Sequence, residues 1–366
     1  MKVPFNDLYL QYKSIQDEID FVISDVIKKS SFVRGEYVEK FEEEFASAIG
    51  ANHCVSCANG TDALYIIMKC LNLKQNDEVI VPANSWISTS ETVSQAGGKV
   101  IFSDVNEQTY NIDIRDIKKK INKNTVGIIP VHLYGYPAEM EEIMCIAKEN
   151  NLWVIEDCAQ AHLASVNGKN IGTFGIASTF SFYPGKNLGA MGDAGAIITN
   201  DNELAKKVAM FSRHGGLTKG DHKIEGINSR LDGIQAGILS VKLKYLSMWT
   251  EQRRDIANIY SEKLQGLKTP IIADGYKHVF HLYVVQHNKR DALQDYLKSK
   301  DIASIINYPC ALPLLEAYRS LGHSKEDFPV SYHNQSRILS LPLFPGMSNE
   351  QIDHTVEKVN TFVKNN

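Results

Sequence analysis

A single lysine, Lys186, sits in the glycine-rich run Ser181-Phe-Tyr-Pro-Gly-Lys-Asn-Leu-Gly-Ala-Met-Gly-Asp-Ala-Gly195, between two stretches that read as strands. Spacing alone removes two phosphate-loop readings. A Walker loop needs a glycine five residues before Gly185 and a serine or threonine after the lysine, where this chain has Phe180 and Asn187. The dinucleotide fingerprint needs Gly-x-Gly-x-x-Gly ahead of a helix, whereas Gly189, Gly192 and Gly195 are evenly spaced and precede the strand-like run Ala194 to Thr199. What remains is an amine that forms a Schiff base with a carbonyl cofactor, of which pyridoxal phosphate is the usual case. That chemistry requires a carboxylate partner.

A carboxylate is available at a suitable place. The apolar run Leu152-Trp-Val-Ile155 reads as a buried parallel strand and ends in Glu156-Asp157. Ligands of open α/β sheets bind beyond the carboxyl ends of strands, and Asp157 there can keep a pyridine nitrogen protonated. A phosphate also needs donors. Cys54-Val-Ser-Cys-Ala58, then Asn59-Gly-Thr-Asp62, then Ala63-Leu-Tyr-Ile-Ile-Met68 reads as strand, tight turn and helix start. Free N–H groups and the helix dipole attract an anion at such a start, and Thr61 and Ser181 add hydroxyls. Taken singly, each of these residues is also a common cap or turn residue.

The motifs Val3-Pro-Phe-Asn-Asp-Leu8, Ala58-Asn-Gly-Thr-Asp-Ala-Leu64, Thr109-Tyr-Asn-Ile-Asp113 and Pro130-Val-His-Leu-Tyr-Gly135 add to the lysine loop. So do Glu156-Asp-Cys-Ala-Gln-Ala-His162, Asn228-Ser-Arg-Leu-Asp232 and Leu339-Ser-Leu-Pro342. Together, and over nearly the whole length, they resemble the DegT/DnrJ/EryC1/StrS aminotransferases, which make amino sugars on nucleotide carriers with pyridoxal phosphate. The resemblance implies that Lys186 carries the cofactor, Asp157 pairs with its ring nitrogen, and Gln160 meets its phenolic oxygen. It places Trp86 on the ring face and Gly60, Thr61 and Ser181 on the phosphate, joined by Asn228 from the other subunit of a homodimer with shared active sites. Tyr183, Arg230 and Asn307 are expected near the substrate, and no metal is expected.

Within the family, the lysine loop and His278-Val-Phe-His-Leu-Tyr-Val-Val285 look most like enzymes that aminate C3 of dTDP-3-keto-6-deoxyhexoses, with glutamate as donor. The segment Ile306-Asn-Tyr-Pro-Cys-Ala-Leu-Pro313 departs from that subgroup, carrying Asn307 and Pro313 where histidines are frequent. A 4-keto or UDP-linked substrate stays open, as does a non-catalytic regulator that only binds the cofactor. A sugar dehydratase is disfavoured, because such relatives carry histidine in place of the lysine.

These residues need a scaffold. Val38, Phe41, Phe45 and Ile49 recur at helical spacing ahead of Gly50. Strand-like runs follow at Val79–Val81, Lys99–Phe102, Gly127–Pro130, Leu152–Ile155, Ser178–Phe182 and Ala196–Thr199, with helical stretches between most of them. That alternation predicts an α/β fold with a mostly parallel sheet. Its counterpart in the resembling family is the aspartate-aminotransferase-like fold, fold type I. Residues 235–265 read as one long helix or two, leading from a large cofactor-binding domain (1–245) into a small α/β domain (246–366). There, His278 to Gln286 reads as a strand, Arg290 to Lys300 as a helix, and Ser348-Asn-Glu-Gln351 as a capping box that opens the last helix.

Composition is that of a water-soluble enzyme. With 366 residues the chain can bury a large core, and a net charge of −4 without basic blocks argues against nucleic acid and anionic membranes as partners. The start, Met1-Lys-Val-Pro-Phe-Asn-Asp7, does not read as a signal peptide, which predicts a cytoplasmic protein. Cys54 and Cys57 form a C-x-x-C, but no second pair at zinc spacing accompanies it, so the six cysteines are expected to be reduced.

Overall fold

The computed structural model describes all 366 residues. Three helices open the chain: α1 (Leu8–Ser14), α2 (Gln16–Lys29) and α3 (Glu36–Ile49). Helix α3 buries Val38, Phe41, Phe45 and Ile49 and stops at Gly50, whose φ of 82° is a left-handed cap that a side chain would resist. Strands and helices then alternate through β1 (His53–Cys57), α4 (Gly60–Cys70), β2 (Glu78–Pro82), α5 (Ser88–Ala96) and β3 (Lys99–Ser103). The alternation continues through α6 (Ile114–Lys120), β4 (Thr125–Ile128), α7 (Met140–Glu149) and β5 (Trp153–Asp157). Short strands β6 (Ser165–Val166) and β7 (Lys169–Asn170) precede β8 (Ala177–Ser181) and β9 (Gly195–Thr199), which flank the lysine loop.

Seven strands form one sheet in the order β1-β9-β8-β5-β4-β2-β3. Strand β9 runs antiparallel to both neighbours, and every other pairing is parallel. The expected strand at Cys54–Ala58 and the six expected runs between Val79 and Thr199 all contribute to this sheet. Both of its faces are covered, which is why its strands read as apolar runs without polar alternation. Ile197 of β9 enters a core with α4 and with α8 (Asn202–Phe211). Its neighbours Ala196 and Ile198 enter a second core with α3 and with α9 (Gly233–Leu243).

The helical stretch after residue 235 is two helices, α9 and then α10 (Leu246–Lys263). Beyond α10 come β10 (Tyr276–Lys277), β11 (Tyr283–Gln286), α11 (Arg290–Ser299), α12 (Pro329–Gln335), β12 (Ile338–Leu341) and α13 (Asn349–Lys364). Strands β11 and β12 pair antiparallel, and α13 begins with the expected capping box of Ser348 and Gln351. A separate core joins Tyr283, Val285, Leu339 and Leu341 of these strands to α10, α11 and α13.

One expectation is corrected. His278 to Gln286 is not a continuous strand, because Phe280 has a φ of 44° and only Tyr283–Gln286 is extended and paired. The upstream half turns instead towards the lysine loop, where the Val279 carbonyl accepts from Asn187 Nδ2 at 2.9 Å.

Candidate active site

The carboxyl edge of the sheet gathers the residues singled out by chemistry. Asp157 ends β5 and is 5% exposed. Its Oδ2 accepts from Thr89 Oγ1 at 2.8 Å and its Oδ1 from the Ala159 N–H at 3.1 Å. Burial pushes this carboxyl up from its ordinary value, and the Ala159 N–H, Thr89 and Lys186 oppose that shift. Each oxygen keeps a lone pair free for a third partner.

Lys186 follows β8, the parallel neighbour of β5. Its loop is pinned by Lys186 N–H to Tyr183 O at 2.8 Å and Ala190 N–H to Phe182 O at 2.7 Å. Burial pushes the amine down to about 8, and Asp157 works against that shift. An amine near 8 is partly neutral at physiological pH, and the neutral form is the nucleophile.

The residues expected to meet a phosphate lie at the start of α4. Asn59 caps this helix by accepting from the Asp62 N–H at 2.8 Å, while the N–H groups of Gly60 and Thr61 find no acceptor in the protein. A Cβ on Gly60 would stand 2.8 Å from the Ser181 Cβ, so only glycine lets Ser181 approach this helix end. Thr61 Oγ1 lies 2.7 Å from Ser88 Oγ. Two unpaired N–H groups on a helix start, with two hydroxyl residues beside them, fit a phosphate.

The remaining predicted residues separate into two groups. Gln160 is buried, accepts from the Tyr134 N–H at 2.7 Å and donates Nε2 to Tyr308 Oη at 3.1 Å. Trp86 lies at the same place, its ring tilted by 45° against Tyr308 at 5.7 Å between centroids. Tyr183 and Asn228 instead are exposed, and Arg230 is half-buried. Asn307 Oδ1 accepts from Ser340 Oγ at 2.9 Å and its carbonyl accepts from the Tyr134 hydroxyl.

The model of the DegT/DnrJ/EryC1/StrS aminotransferase family matches residues 13–360. The chain belongs to this family. Among its relatives, a Geobacillus stearothermophilus protein named a pleiotropic regulatory protein is 43% identical over 100% of this chain and 99% of its own. The dTDP-3-amino-3,6-dideoxy-alpha-D-galactopyranose transaminase of Aneurinibacillus thermoaerophilus is 42% identical over 98% of this chain and 99% of its own. A UDP-N-acetyl-3-dehydro-alpha-D-glucosamine 3-aminotransferase of Acidithiobacillus ferrooxidans is 41% identical over 96% and 95% respectively. The crystal structure of S. venezuelae DesV in complex with a ketimine intermediate superposes with a TM-score of 0.97, at 34% identity over 99% of both chains.

In this DegT/DnrJ/EryC1/StrS member, one buried cluster invites a metal reading. Ligand atoms of His132, Glu156 and Cys158 lie within 4.8 Å of one another. Two of these three groups are already committed. His132 Nδ1 accepts from the Ala138 N–H at 2.9 Å, so the ring hydrogen is on Nε2, 3.2 Å from Glu156 Oε2. Glu156 also accepts from the N–H groups of Gly172, Phe174 and Gly175 at 2.7, 2.8 and 2.9 Å. The cluster ties the loop after β4 and the turn before β8 to the strand that carries Asp157.

Sequence reasoning missed Thr89, which orients Asp157, and Tyr308, which meets Gln160 and Trp86. A signal for Thr89 was present. Pro82-Ala-Asn-Ser-Trp-Ile-Ser-Thr89 repeats the strand, turn and helix-start grammar read at residues 54–63. No helix is long and apolar enough to cross a membrane.

Proposed function

We propose that this chain is a pyridoxal-phosphate-dependent transaminase that passes an amino group from glutamate to a nucleotide-linked keto sugar. The favoured substrate is dTDP-3-keto-6-deoxyhexose, giving the 3-amino-3,6-dideoxy sugar. The observation that carries the reading is the opposition of a partly neutral Lys186 amine to a buried, hydrogen-bonded Asp157, beside two unpaired helix N–H groups. The names of the Aneurinibacillus and Acidithiobacillus relatives support C3 amination, and they differ in carrier.

Pyridoxal phosphate supplies, when bound, the carbonyl group and the electron sink that this transfer needs. Lys186 would hold it covalently and, once displaced by the donor's amine, would move a proton on and off the carbon that bears the nitrogen. Asp157 would hold the hydrogen on the ring nitrogen through an oxygen not used by Thr89. Gln160 Nε2 would reach the phenolic oxygen, Trp86 would cover the ring, and Gly60, Thr61 and Ser181 would take the phosphate. Asn228 would complete that phosphate site from the second subunit of a homodimer. Tyr183 and Arg230 would face the sugar nucleotide, with Asn307 behind the Tyr308 segment. The large domain, 1–245, would carry the cofactor, and the small domain, 246–366, would close the sugar side.

The test is incubation with glutamate and a panel of dTDP- and UDP-linked 3-keto and 4-keto sugars, with products identified by mass spectrometry and NMR. The expected result is the highest kcat/KM for the dTDP-linked 3-keto sugar. A clear preference for a 4-keto or UDP-linked sugar would overturn the substrate and leave the transaminase reading standing. No turnover on any of them, despite loaded cofactor, would favour the regulatory reading that the Geobacillus relative's name raises.

A further inference from the structure

Helix α9 touches the lysine loop at two points. Gln235 and Lys242 are seven residues apart on it, two turns along one face. Lys242 is 4% exposed and has no carboxylate partner; its single hydrogen bond runs from Nζ to the Gly189 carbonyl at 2.7 Å. A buried amine is costly, and an apolar side chain would fill the same space without that cost. A lysine in the last turn of a helix usually serves that helix's own carbonyls. Here the amine crosses to the loop instead.

Gln235 acts on the next part of the same loop. Its Oε1 accepts from the Met191 N–H at 2.8 Å and its Nε2 donates to the Met191 carbonyl at 3.3 Å, a two-bond ring like a strand pairing. The backbone is packed tightly at both contacts. A Cβ on Gly189 would lie 2.3 Å from the Pro184 carbonyl oxygen, and one on Gly192 would lie 3.1 Å from Gln235 Nε2.

We propose that Gln235 and Lys242 are positioning residues that fix the loop backbone, so that the Lys186 amine travels only about its own side-chain bonds. The Gly189 carbonyl is three residues from Lys186 and is tied to the rigid core through α9, which packs on α3 and on the sheet. With the backbone held, the same amine can both bind the cofactor and return to the reacting carbon at a reproducible place. This inference rests on the reading of Lys186 as the cofactor-bearing lysine.

The test uses full-length Lys242→Met and Gln235→Ala proteins, each stripped of cofactor and reloaded with pyridoxal phosphate. Two readouts need no sugar substrate: the pH midpoint of the absorbance band of cofactor bound at Lys186, and the rate at which apoprotein captures the cofactor. Capture is expected to slow about tenfold in each variant, since an ångström of misplacement at reacting atoms costs up to about 100-fold. The absorbance midpoint is expected to shift by about one pH unit, the scale of a modest change in local interactions. Gln235 is only half-buried, so its variant carries the test if Lys242→Met does not fold. Unchanged capture and an unchanged midpoint, with borohydride-fixed label still on Lys186, would overturn the proposal. So would a fall in melting temperature with both readouts unmoved, which assigns the two residues to packing alone. Label on another lysine would instead overturn the reading of Lys186.

Discussion

Asp157 and Trp86 stand on two sides of one site and differ in almost every physical respect. Asp157 is 5% exposed, held by two hydrogen bonds and backed by the His132–Glu156 cluster. Trp86 is 58% exposed, and among the aromatic rings only that of Tyr308 lies against it. The buried side contains the groups to which the proposed chemistry assigns charge and position, fixed in a low-dielectric setting where they act most strongly. The open side, with Tyr183 and Asn228 exposed as well, is left for a substrate or a second subunit to cover. Changes on the buried side should therefore remove the chemistry, and changes on the open side should shift affinity and selectivity.

The largest effect expected is that of Lys186→Ala. It removes both the covalent attachment and the proton carrier, so single-turnover amination should fall by at least about 10⁴-fold, the upper range for one general acid–base group. Borohydride reduction and peptide mapping of the unaltered protein should place the cofactor on Lys186. Rapid amination by the alanine variant would move the chemistry elsewhere and dissolve the contrast between the two sides.

Asp157→Asn should come next. The amide keeps the shape and one hydrogen bond, but it cannot hold a positive ring nitrogen, so turnover should drop about 100- to 1000-fold, the range for losing one preorganised electrostatic partner. Cofactor content should stay near normal. Near-normal turnover would reduce Asp157 to the end of a strand.

The amine of Lys186 gives a smaller, graded effect. Because burial brings it to about 8, well below its ordinary 10.5, the amine is half neutral at that point and its neutral fraction levels off about one pH unit above it. The capture rate of pyridoxal phosphate by apoprotein should be about tenfold lower at pH 7 than on its plateau, since each pH unit below the pKa removes about 90% of the neutral form. A rate still climbing steeply above pH 9 would mean that burial does not depress this amine.

The same division explains what could be read from the sequence. The strand ends, the turn into α4 and the lysine loop are local patterns, and Asp157, Thr61 and Ser181 were singled out from them, while Gly60 entered through the family motifs. Gln160 was legible through family motifs. Thr89, Tyr308, Gln235 and Lys242 act on partners 44 to 148 residues away, so local spacing does not reveal what they touch, even where, as at Thr89, the turn that carries the residue is itself a legible pattern. Motifs do not by themselves tell buried from exposed residues: His162, at the end of the motif that begins at Glu156, is packed among Phe45, Phe180 and Phe182, and burial pushes it down to about 3. The strand expected at 278–286 failed because one residue, Phe280, takes a left-handed conformation that composition does not announce.

The smallest effect expected lies on the open side and decides whether a second subunit completes it. Ser229 is fully buried and bridges the Ala58 N–H and the Asp62 carboxylate at 3.1 and 2.6 Å, beside the start of its own α4. Residues on either side of it in an extended segment point the other way, and Asn228 is exposed. We therefore expect Asn228 to serve the neighbouring subunit. Asn228→Ala should weaken cofactor binding about tenfold, the low end of the worth of one hydrogen bond to a charged group. Mixed dimers of Lys186→Ala and Asn228→Ala subunits then separate the geometries. If Asn228 acts across the interface, the one site that retains Lys186 also receives an intact Asn228, and its cofactor affinity is that of the unaltered protein. If Asn228 acts within its own subunit, that site lacks it and binds as weakly as Asn228→Ala alone. Fluorescence titration of the mixed dimers with pyridoxal phosphate distinguishes the two, and weak binding despite demonstrated subunit exchange would return the open side to a single chain.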